Sequence, residues 1–218
     1  MKKLFLAACI ILAPLTFAPT ASSDPVQARD WTPDAPTFSA QLCNGGRTDS
    51  GGSTFILPAS APDASAKGAC DNGAARAERR YQGYAGGTGN YSDGIRRFAG
   101  TFTIHDMTGD RIALKQTFNG NEGPYFLLAV DRNRRLYNVE GGATIAPAGT
   151  ATDGTPVRVE TVHDTARHTL QVYIDDKLAY TDTNAPGGEF YDKLGAYQTA
   201  SGSGPITVAW SEVGFWHQ

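Results

Sequence analysis

The sequence predicts an all-β protein, a two-sheet antiparallel β-sandwich of the jelly-roll, concanavalin-like type. Three observations carry that expectation. Short segments alternating apolar and polar residues recur along the chain from about Ala74 onward. The 25 glycines and 12 prolines among 218 residues gather between those segments, where turns are needed. No stretch repeats apolar residues at helical spacing over several turns, so no helix competes with the strands. Among sandwiches, a jelly roll is favoured because it offers one concave sheet face to a polymer.

Residues 1–28 read as a secretory leader. Lys2 and Lys3 form a basic start, Leu4 to Leu15 a short apolar run broken at Pro14, and small residues follow, with cleavage after Ala21 or after Ala28. The run is too short to span a bilayer comfortably. Residues 29–218 then form one domain, secreted or periplasmic. Cys9 leaves with the leader, so Cys43 and Cys70 remain, and in an exported protein an even pair is expected to form a disulfide. It would close a Gly-, Ser- and Ala-rich loop, worth about 3 kcal/mol by chain entropy.

In chain order, Arg29–Thr37 is Pro- and Asp-rich and reads as an irregular arm. Gly45–Ala66 reads as a long loop with one strand at Thr54–Leu57. Ala75–Tyr81 is the first clear strand. Phe98 to Ile104 alternates with a clean period of two, and Arg111–Phe118 follows after the Thr108-Gly109-Asp110 turn. Tyr125–Asp131, Arg135–Val139, Val157–His163 and Thr169–Asp175 come next. Asp175-Asp176 makes a hairpin turn into Lys177–Thr181. Tyr191–Gln198, Ile206–Glu212 and Gly214–His217 complete the set.

Three of these strands carry candidate chemistry. In Tyr191–Gln198, Lys193, Gly195 and Tyr197 share one face while Leu194 and Ala196 face the other way. A cation, a bare backbone position open to a ligand and a phenol then stand in one row. In the second strand, Arg76, Glu78 and Arg80 share a face. They are either solvated or line a groove in which Glu78 holds the guanidinium groups for a carboxylate. In the third, parity gives Gln116 the face of Ile112 and Leu114, which read as core, unless a bulge intervenes. Asn119 falls on the opposite face with Lys115 and Thr117.

Together these segments resemble the alginate lyases of polysaccharide lyase family 7. Arg76-Ala77-Glu78-Arg79-Arg80 is similar to their Arg-x-Glu-x-Arg strand, and Lys193-Leu194-Gly195-Ala196-Tyr197 to their Lys-Ala-Gly-x-Tyr strand. Gln116 falls where their Gln-Ile-His motif lies. Tyr84–Gly100 also resembles family 20 glucuronan lyases. The resemblance implies a groove that binds an anionic polysaccharide and cleaves it by β-elimination. Arg76 and Gln116 would neutralise the uronate carboxylate, with Asn119 as a substitute amide. Arg80 and Lys193 would hold neighbouring uronates, and Tyr197 would act as acid and, where no histidine serves, as base. The departure is Gln116-Thr117-Phe118, which lacks the motif's histidine. Of the four histidines, His105 is the best substitute by position, while His163 and His168 flank a turn.

Other classes find little support. The net charge of −3 argues against nucleic acid as partner. Two isolated cysteines lack the ligands for a metal, no phosphate-binding Gly loop or zinc motif is present, and no cofactor is expected. Asp131 and Glu160 would form a carboxylate pair only if the fold joined them. A monomer that leaves the membrane after leader cleavage is expected. Non-catalytic carbohydrate binding, or a structural role in the envelope or biofilm matrix, is the alternative to a lyase.

Overall fold

A computed structural model describes residues 29–59, 73–120, 122–199 and 202–218. The leader, its cleavage sites and Cys70 lie outside the described residues, and with Cys70 the expected disulfide to Cys43. No described helix is long and apolar enough to cross a membrane.

The strands are β1 (Thr32–Asp34), β2 (Thr37–Cys43), β3 (Arg47–Thr48), β4 (Thr54–Leu57), β5 (Arg76–Gln82), β6 (Ile95–Met107), β7 (Arg111–Asn119) and β8 (Gly123–Asp131). They continue as β9 (Leu136–Asn138), β10 (Thr144–Ala146), β11 (Pro156–Asp164), β12 (Thr169–Ile174), β13 (Lys177–Asp182), β14 (Phe190–Tyr197) and β15 (Ile206–His217). One sheet runs β13-β12-β11-β6-β15-β4-β3, with β1 added along β15, and the other runs β10-β9-β8-β7-β14-β5-β2. Every pairing is antiparallel. The two sheets form the expected sandwich of jelly-roll type.

The core lies between the sheets. Phe98, Phe102, Ile104, Val208 and Trp210 from the first meet Ile112, Leu114, Phe126, Leu128 and Leu194 from the second, all buried. Alternation sets this, because each apolar set falls on one side of its strand. The arm expected to be irregular instead carries β1, paired with β15, and leads into β2, which edges the second sheet along β5. The final pair of expected strands is one strand, β15. Its register shifts between Ser211 and Gly214, where Glu212 has φ 53°, so a bulge rather than a turn joins its halves.

Candidate functional site

β14 lies between β7 and β5, and its register sets out the face turned away from the other sheet. Lys193 stands opposite Arg80 on β5 and Gln116 on β7, Gly195 opposite Glu78, and Tyr197 opposite Arg76 and Ala113. Arg76, Glu78, Arg80, Gln116, Lys193 and Tyr197 therefore share one surface. All eight residues of β14 are buried. Lys193 keeps only 4% of its surface, Gln116 and Glu78 1% each, and Tyr197 9%.

Gln116 reaches this face through a bulge. The β7–β8 register shifts between Ala113 and Lys115, and the β7–β14 register shifts between Leu194 and Tyr197. Leu114 and Lys115 both turn inward as a result, and Gln116 turns outward. The simple parity that put Gln116 with Ile112 and Leu114 fails at that point.

Glu78 ties the row together. Its Oε2 lies 3.2 Å from Arg76 Nη1, and its Oε1 accepts from Gln116 Nε2 across β14, where Gly195 presents no side chain. Burial raises the Glu78 carboxyl above the ordinary range, opposed by Lys193, Arg76 and the Gln116 hydrogen bond. Glu78 holds one arginine rather than both. Arg80 donates instead to Gln82 Oε1 and Asn90 Oδ1, each at 3.3 Å, and packs 4.1 Å over the Tyr191 ring. Arg76 Cζ lies 4.2 Å over the Tyr197 ring, and Arg76 Nε is buried without a hydrogen-bond partner among the described residues.

The position of the motif's histidine holds Phe118, stacked on Tyr191 at 5.0 Å and 18° between planes. Lys193 Nζ lies 4.9 Å over the Phe118 ring. The aromatic pair was legible only in part: Tyr191 stands two residues before Lys193 and so shares its face, but Phe118 acquires that face only after the bulge.

Several expectations are corrected. Asn119 does not join the row; at the strand end, its amide donates to Gly187 O at 3.5 Å, well away from Arg76 and Tyr197. Gly195 is required by packing, not by ligand approach. With φ +139°, an added Cβ would lie 2.3 Å from Ala77 O and 2.8 Å from Phe55 Cδ1. His105 is exposed on β6, in the other sheet. His163 is a core residue. Its Nδ1 lies 3.1 Å from Tyr91 Oη, its ring sits edge-on to Phe190 at 4.5 Å, and burial pushes its pKa down to about 4. Asp131 and Glu160 do not pair with each other: Asp131 binds Arg135 at 2.9 Å and Glu160 binds Arg97 at 2.7 Å.

Behind the row, on the inner face, sequence reasoning missed a buried polar cluster. Lys115, fully buried, lies 2.8 Å from Asp192 Oδ1, and the same oxygen accepts from Thr117 Oγ1 at 3.1 Å. The Asp192 amide donates to Tyr84 Oη at 2.7 Å. No signal in a single sequence announces such a pairing, since Lys115 and Asp192 are far apart along the chain. Among the described residues, no group of His, Cys, Asp and Glu could hold a metal.

No protein-family model and no curated protein matches this sequence. Solved structures do share its fold. An alginate lyase from Corynebacterium sp. superposes with a TM-score of 0.59 at 16% identity, covering 79% of this chain and 81% of its own. The marine family 7 alginate lyase AlyA1 from Zobellia galactanivorans gives 0.58 at 12% identity, over 86% of this chain and 95% of its own. A Trypanosoma rangeli sialidase also aligns, at 0.53 and 15% identity, over 82% of this chain but 27% of its own. At such identities the likeness is one of fold.

Proposed function

We propose that this protein is a secreted polysaccharide lyase that cleaves a uronic-acid polysaccharide, alginate or glucuronan, by β-elimination. The observation that carries the reading is the convergence of Arg76, Glu78, Gln116 and Tyr197 on one sheet face. Arg76 and Gln116 meet at Glu78, and Tyr197 lies under the same guanidinium.

The chemistry follows from that cluster. A uronate carboxylate makes the neighbouring C5 proton acidic only when its charge is neutralised. Arg76 Nε, without a partner among the described residues, and the remaining amide proton of Gln116 are donors for it, and Glu78 fixes both side chains in place. Arg80 adds a second cation for an adjacent uronate. Tyr197 supplies the proton for the departing glycosidic oxygen, with the Arg76 guanidinium packed against its ring. Neither a metal nor a cofactor enters this scheme.

Incubation with a panel of polyuronates, followed by ultraviolet absorbance of the unsaturated product, tests the reading. Activity is expected on at least one uronate polymer, and Tyr197→Phe is expected to abolish it. Activity that survives Tyr197→Phe removes the assignment. The second reading, a non-catalytic binder, is favoured by the Phe118–Tyr191 stack flanked by Arg80 and Lys193, a platform suited to a sugar ring. Retained binding with no absorbance across the panel would select it.

A further inference from the structure

The chain buries two lysines in this region, and they differ in kind. Lys115 is locked on the inner face by Asp192 and Thr117. Lys193 is nearly as buried, on the face turned away from the other sheet, yet its Nζ makes no hydrogen bond or ion pair among the described residues. Its near neighbours are π faces, Phe118 at 4.9 Å and Tyr191 at 5.8 Å. A structural lysine at this depth is expected to have a carboxylate in contact.

The surroundings of Lys193 explain how it stands without an ion pair among the described residues. From β5 it faces Arg76, Glu78 and Arg80, and from β7 Gln116 and Phe118. Tyr191 and Tyr197 flank it on its own strand, and beyond β5 the register brings Ser39, Gln41 and Cys43 of β2, none of them charged. Burial drives its pKa down to about 8, with Arg76 and Arg80 adding to the fall and Glu78 opposing it. A large fraction is therefore neutral in mildly alkaline solution, with a lone pair able to accept a proton. The histidine that the Gln116-Thr117-Phe118 segment lacks would have occupied the site of the phenyl ring beneath this amine.

We propose that Lys193 is the base of the reaction, taking the C5 proton of the bound uronate in place of the absent histidine. This rests on the lyase reading given above. The Lys193 lone pair forms an N–H bond as the C5–H bond breaks. The C–H electron pair becomes the C4–C5 double bond, and the C4–O bond breaks. The departing oxygen takes the phenol proton of Tyr197. The ammonium then returns its proton, through solvent, to the phenolate. Nothing is oxidised or reduced.

Two variants test it, with the full mature protein and the ultraviolet assay. Lys193→Arg keeps the positive charge but not a titratable base. It is expected to lose kcat by on the order of 100-fold or more, with KM and polyuronate binding little changed. Lys193→Cys, inactive as made, is alkylated with 2-bromoethylamine to give a thialysine, whose amine is less basic than lysine's. Activity is expected to return, with the acid limb of kcat/KM moved below its wild-type position near 8. Wild-type protein treated alongside controls for other sites. Lys193→Arg with undiminished kcat, or a thialysine enzyme with the wild-type acid limb, overturns the proposal. If Lys193→Arg fails to fold, the alkylated protein decides alone. A silent wild type defeats the lyase reading and this one together, whereas an active wild type with an equally active Lys193→Arg defeats only the choice of base.

Discussion

Asp192→Asn is the sharpest perturbation of the scaffold behind the candidate site. It leaves Lys115 fully buried with its only ion-pair partner among the described residues neutralised. Burial alone already lowers the Lys115 pKa, and Asp192 is the group that opposes that fall. The cost has a ceiling, because the lysine can shed its proton. From an ordinary 10.5 to pH 7, neutralisation costs at most about 5 kcal/mol, at about 1.4 kcal/mol per unit. Breaking a buried pair by removing one partner costs about 3–5 kcal/mol. Both arguments give the same range, which corresponds to a fall in Tm of about 10 °C for a domain of this size. The pH dependence is the more specific signature. Each unit above pH 7 makes neutralisation about 1.4 kcal/mol cheaper, so the penalty shrinks toward alkaline pH. Urea unfolding of wild type and variant at pH 7, 8 and 9, followed by circular dichroism, measures it. A loss below about 1 kcal/mol, or one equal at pH 7 and 9, refutes the reasoning. The double change Lys115→Met with Asp192→Leu is expected to recover most of the stability, since no charge is then stranded.

Gly195→Ala is expected to destabilise the protein by about 3 kcal/mol through strain at φ +139° and contact with the β5 backbone, seen as a fall in Tm. The same shift would disturb the Glu78–Gln116 bridge, so activity should fall more than stability accounts for. His163 has a depressed folded-state pKa of about 4 against an ordinary 6.5. The unfolded chain therefore binds the proton first, and stability is lost as pH falls from about 6.5 to about 4, by about 3 kcal/mol in all. His163→Phe should flatten that slope in urea titrations at pH 7 and 4.5, while costing about 1–3 kcal/mol at neutral pH because the buried Tyr91 hydroxyl loses its hydrogen-bond partner. Phe118→His places an imidazole beneath Lys193 and is expected to carry the acid limb of kcat/KM down toward about 6.5; a limb unchanged by the substitution would show that this position does not reach the substrate.

The sequence by itself determined what is local. Strict alternation marked most of the strands, because a half-buried strand must send every second side chain inward. The same rule put Arg76 with Glu78 and Arg80, and Lys193 with Tyr197, since neither segment is bulged within its pairing to the other. Turn residues marked the hairpins. What remained illegible is non-local. Thr37–Cys43 lacks a buried face, being an edge strand with Phe38 half exposed, so its alternation carries no pattern; its pairing with β5 defines it. Gln116 takes its face from a bulge created where β7 must match β8 and β14 at once. Asn119 carries the right chemistry, but its position at the strand end turns it to a loop. Lys115 and Asp192, and the stack of Phe118 on Tyr191, depend on which residues the register sets side by side. Alternation along one strand fixes which way a side chain points; only the packed sheets decide what it meets, and the candidate site is made of such meetings.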